Sequence, residues 1–62
     1  MALPQEVLKQ IKENVALAEK QIKEIEPEIE KAMLAGIDVS DQRKKVTELK
    51  TQVAKLKTQY SV

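Results

Sequence analysis

Residues 31–42, KAMLAGIDVSDQ, decide how this chain folds. Gly36 is the single glycine of the sequence and stands where a helix ending calls for a left-handed residue. Ile37 can then fold back onto Ala32 or Met33, as in a Schellman ending. Asp38 offers an N-cap for a second helix, with Asp41 three residues later as a weak capping box and Ser40 as the alternative cap. A stop followed at once by a start leaves a turn of Gly36-Ile37-Asp38, extendable to Val39. A link that short forces the two helices antiparallel.

Outward from the turn, apolar residues recur at alternating spacings of three and four. On the first side they are Leu8, Ile11, Val15, Ala18, Ile22, Ile25, Ile29 and Ala32; on the second, Val46, Leu49, Val53, Leu56 and Tyr60. That period keeps side chains on one stripe of a helix and marks helices packed along their length. The spacing predicts helices over about 4–35 and about 39–60. Pro4 suits a first turn, and Glu6 lies near the positive end of the helix dipole. Pro27 removes a backbone bond inside the first helix. The stripe nevertheless passes in phase from Ile25 to Ile29 with Pro27 on the opposite side, so a continuous helix, kinked or curved there, is expected. A restart with Pro27 in a new first turn is the rival.

Charge agrees with the hairpin. Residues 1–37 carry five basic and seven acidic side chains, residues 39–62 six and two. With Leu8, Val15, Ile22 and Ile29 at heptad position a, the flanks of the first helix include Glu19, Glu26 and Glu28. The second helix answers with Arg43, Lys45, Lys50 and Lys57. In an antiparallel pair Glu19 and Glu26 should each meet one of Arg43, Lys50 and Lys57.

The two arms differ in length. At about 1.5 Å per residue the first spans roughly 45–50 Å and the second roughly 30–35 Å. Tyr60 should fall beside residues 11–14, leaving Leu3, Val7 and Leu8 beyond the partner helix with Ile11 near its end. The expected oligomer interface is therefore Leu3, Val7, Leu8, Ile11 and Val15, covered by a second chain in a dimer of hairpins, a four-helix bundle or a larger helical oligomer. The bland alternative is fraying of residues 1–11. Ala18 and Ala32 permit close helix approach. Gln42, on the stripe near the turn, is expected to be partly solvated, and Tyr60 should lie over the seam with its hydroxyl in water.

The residue inventory narrows the chemistry. The 62-residue chain contains neither histidine nor cysteine, so the common nucleophiles and neutral-pH bases are missing, as are disulfide and zinc staples. One glycine makes no phosphate loop. Glu24, Glu26, Glu28 and Glu30 form an acidic run that reads as a solvated, lysine-paired face rather than an inward metal site. No enzyme activity, cofactor or metal is expected. Arg43, Lys44, Lys45 and Lys55 are candidate nucleic-acid contacts in an alternative reading as a small regulator, although one tyrosine and one arginine give little for base stacking or base reading. A net charge of +1 and the lack of Trp and Phe argue against a membrane-surface helix, and no apolar run is long enough to span a bilayer. The segment MALPQEVLKQ lacks the features of a secretory signal, so a cytoplasmic location is expected.

In length and hairpin layout the chain resembles the Rop-type plasmid regulators, whose two-helix hairpins dimerise into four-helix bundles. The resemblance is architectural; no motif is shared, and neither RNA binding nor its residues carry over. Small accessory proteins of phages, viruses and plasmids are built on this scale. The expected function is a non-enzymatic structural or interaction protein that self-associates, with a further protein partner as an added role.

Overall fold

The computed structural model describes residues 4–62. It contains two helices, α1 (Gln5–Leu34) and α2 (Ser40–Tyr60), packed against each other as an antiparallel pair. Leu3 lies outside the described residues. Pro4 (φ −55°, ψ 144°) is the residue before α1 rather than part of its first turn, and its carbonyl accepts the first helical bond, from the Leu8 amide at 3.1 Å. Helix α1 runs unbroken through Pro27. The ring is exposed, so the Lys23 carbonyl that Pro27 cannot bond faces the solvated side, where water can serve it.

The turn closes as a Schellman motif. Gly36 adopts φ +86°, the Ile37 amide donates to the Ala32 carbonyl at 3.0 Å, and the Gly36 amide donates to the Met33 carbonyl at 3.0 Å. Ile37 itself remains 58% exposed; the buried residue of the turn is Val39, at 6%. Val39 also accepts the first bond of α2, from the Arg43 amide at 2.9 Å. Asp38 thus caps from one residue upstream. Its Oδ1 accepts the Ser40 amide at 3.0 Å and the Ser40 hydroxyl as well. Asp41 makes no capping-box bond there, because the helix starts one residue later than the box requires.

At the far end, Ser61 takes a left-handed conformation (φ 54°, ψ 44°) and the Val62 amide donates to the Lys57 carbonyl at 3.3 Å. This hook brings Val62 against the core. The core itself is small. Val15, Ile22 and Val53 form its buried cluster, with Ile11, Ala18, Val46, Leu49 and Val62 packed around it. The pair measures 50 × 15 × 12 Å, one helix thick in its shortest direction.

Candidate functional site

Register is fixed by two cross-helix ion pairs. The Lys50 ammonium donates to Glu26 Oε2 at 2.8 Å, and the Lys57 ammonium to Glu19 Oε2 at 3.4 Å. A step of seven along α2 is a step of seven back along α1, so both pairs share one register. Extending it puts Tyr60 within a turn of residues 11–14, as expected.

The overhang of α1 is therefore real, but its residues differ. Val15 is buried within the hairpin, at 4% exposure, which removes it from the surface offered to another chain. Ile11 is half-buried against the same cluster, and Leu8 is half-buried. Val7 remains exposed. Val62, reached through the left-handed Ser61, supplies part of the cover that α2 was expected to lack.

Part of the stripe does the packing. Val15, Ile22 and Val53 point at the opposite helix and are buried, whereas Ile25 and Leu56, a turn away, are exposed. The neighbouring helix buries the first three and also half-buries Ile11, Ala18, Val46 and Leu49, leaving Ile25 and Leu56 at the edge of the contact. Ile25 lines a wide, open groove of about 570 Å³ together with Gln21, Ile22, Gln42, Val46 and Leu49, with Glu24, Glu28 and Lys45 at its rim. Gln42 lies here, exposed, as its stripe position and nearness to the turn suggested.

The other long side is edged by charge, over grooves of about 300 and 320 Å³ whose walls include Ile29, Met33, Val46 and Ala54. Its grooves are lined by Glu19, Lys23, Glu26, Lys50 and Lys57, and nearer the turn by Glu30 and Arg43. On α2 the hydroxyls of Thr47, Thr51 and Thr58 donate to carbonyls four residues back and are satisfied locally.

The basic residues of α2 do not gather. Arg43 turns toward a groove containing Glu26 and Glu30, while Lys45 stands beside the apolar groove. Lys44 and Lys55 are exposed about three helical turns apart, with Glu48 one turn beyond Lys44. Among the described residues no group of acidic side chains is arranged to hold a metal ion, and Glu28 is engaged with Lys31 at 3.6 Å. Asp38 shows a clear shift in acidity: its bonds from the Ser40 hydroxyl and then the Ser40 amide hold its carboxyl below the ordinary 3.8. None of the described helices is long and apolar enough to cross a membrane. No family model matches the sequence, and neither the curated proteins nor the solved structures provide a match.

Proposed function

We propose that this chain is a non-enzymatic structural or interaction protein that works by self-association, as a dimer of hairpins in a four-helix bundle or as a larger helical oligomer inside the cell. One observation carries the reading: the fold is a single layer. Stable helical domains pack layer on layer around a core shared by both. Here only Val15, Ile22, Val39 and Val53 are buried among the described residues, while Leu17 is 54% exposed and Ile25 46%. Neither disulfide nor metal ligation by Cys or His is open to this sequence, so association is the remaining staple for so small a fold.

The lack of histidine and cysteine supports the non-enzymatic part of the reading. Sedimentation equilibrium from about 1 µM to about 500 µM tests the assembly, a range spanning the affinities of ordinary oligomers. The expected result is a mass at least twice the chain's 7.0 kDa. A monodisperse species at the chain mass throughout would overturn the proposal.

A further inference from the structure

We infer that the second copy docks on one particular face, the side that displays Ile25, Leu49 and Leu56 between glutamines 21, 42 and 52, and that the ion-paired side stays in solvent. This assignment rests on the self-association proposed above. Ile25 and Leu56 are 46% and 37% exposed, and Leu49 is half-buried beside Ile25 in the open groove. Leu49 and Leu56 are seven residues apart, two helical turns, and so share one side of α2.

Charge says what covers this side. Gln21 and Gln42 line the groove on this side, and Gln52 stands one turn beyond Leu49. The opposite side carries Glu19, Glu26, Lys50 and Lys57 already paired with one another. The groove on the glutamine side carries both signs at its rim, Glu24 and Glu28 from α1 and Lys45 from α2, so it presents no single-signed surface to a strongly acidic or basic partner. It does suit itself. A two-fold interface sets a patch against its own image, which penalises a patch of one charge and favours neutral side chains that both donate and accept. An amide meets that requirement, and aliphatic side chains between amides supply the dry contact.

Area is sufficient. The ~800 Å² of accessible surface that each partner contributes to a standard stable interface is about one seventh of the chain's 5342 Å², and this side runs along a molecule 50 Å long. Covering it would turn one layer into two and bury Ile25 and Leu56.

The test inserts charge on each side in turn and reads mass by sedimentation and helicity by circular dichroism. Ile25→Glu and Gln52→Glu stand on the glutamine side; Ala16→Glu, one turn before Glu19, is the control on the ion-paired side. Each first-side variant should weaken association by at least about a hundredfold, since the charge enters the interface twice, while Ala16→Glu leaves it unchanged. Because Ile25 and Gln52 are exposed in the hairpin, helicity at concentrations where wild type and variant are both dissociated should match. A second readout needs no disruptive change. The chain has no cysteine, so Gln21→Cys and Ala54→Cys can each be labelled with a maleimide below and above the association midpoint. Protection that rises with concentration at Gln21→Cys and not at Ala54→Cys supports the assignment. Association that survives both first-side charges, or protection on the Ala54 side, overturns the face while leaving self-association standing. A wild-type chain that never associates overturns both.

Discussion

Lys50 reaches across the seam to Glu26 with its ammonium 2.8 Å from the carboxylate, and the same relation recurs seven residues on in Lys57 and Glu19. Both pairs are about half exposed, so their worth is in selecting an alignment. A slip of the helices by one turn would set these lysines against other residues. In a double-mutant cycle at fixed chain concentration, Glu26→Gln and Lys50→Gln should couple by about 0.2–1 kcal/mol, falling toward zero in high salt. Reversal of both charges, Glu26→Lys with Lys50→Glu, should restore most of what either reversal alone loses.

Gly36 is required for its backbone and for nothing else. A Cβ placed there meets no atom within 4 Å, so space is not the constraint; φ +86° is. Gly36→Ala should therefore lower stability by about 1–2 kcal/mol, the cost of the left-handed region to an L-residue. Gly36→Asn should lose less. Thermal melts at one concentration check both, and an alanine variant as stable as the parent would contradict the Schellman geometry.

Within the turn, burial has moved from Ile37 to Val39. Val39→Ala should cost about 1.5–2.5 kcal/mol, since it removes buried carbon from a core with few such side chains. Ile37→Ala, at a side chain more than half exposed, should stay within about 0.5 kcal/mol. Chemical denaturation of the two variants distinguishes them directly.

The alternation of Leu8 through Ala32 and Val46 through Tyr60 revealed the hairpin, and the charge bias between the arms revealed which side chains would pair. Both are local or pairwise patterns that a sequence displays openly. Val39 and Val62 were not legible, because each lies outside the periodic segments and is buried only through backbone conformations, the Gly36 turn and the left-handed Ser61. Ile25 misled for another reason. Helical spacing places it on the stripe, but whether a stripe residue is covered depends on how many helices surround it, and one neighbour leaves it at the edge. Gln21, Gln42 and Gln52 were visible as letters; their gathering on one side became evident only when Glu19 and Glu26 fixed which side faces the lysines.

Asp38 links turn stability to pH. Its carboxyl is held below the ordinary 3.8 by the Ser40 hydroxyl and amide, so the folded state favours the charged form more than the unfolded chain does. Stability from this group is full above the unfolded value and is lost as pH falls through the lower folded value. Asp38→Asn keeps an acceptor for the Ser40 amide but cannot titrate. Between about pH 6 and about pH 2.5 the variant should lose less thermal stability than the parent. A carbon-detected titration of the Asp38 carboxyl should show a midpoint below that of an unstructured peptide. Equal acid sensitivity of parent and variant would mean that the Ser40 bonds do not persist in solution.

The scatter of positive charge on α2 makes a last, opposite kind of prediction. Nonspecific nucleic-acid binding needs several cations that neutralise neighbouring phosphates together, and it weakens steeply with salt. Arg43 lines a groove with Glu26 and Glu30, Lys50 and Lys57 are paired with glutamates, and Lys45 borders the proposed dimer face, which leaves Lys44 and Lys55 separated on the outer side. Two isolated lysines per chain are too few, even doubled by association. Gel shifts with duplex DNA and duplex RNA should show no retardation at about 0.15 M salt and at most weak smearing near 0.05 M. The variant Lys44→Gln with Lys55→Gln should assemble as the parent does. A discrete shifted complex at physiological salt that disappears in this double variant would show the outer side of α2 to be a nucleic-acid surface, and the protein to be a regulator rather than a self-assembling scaffold.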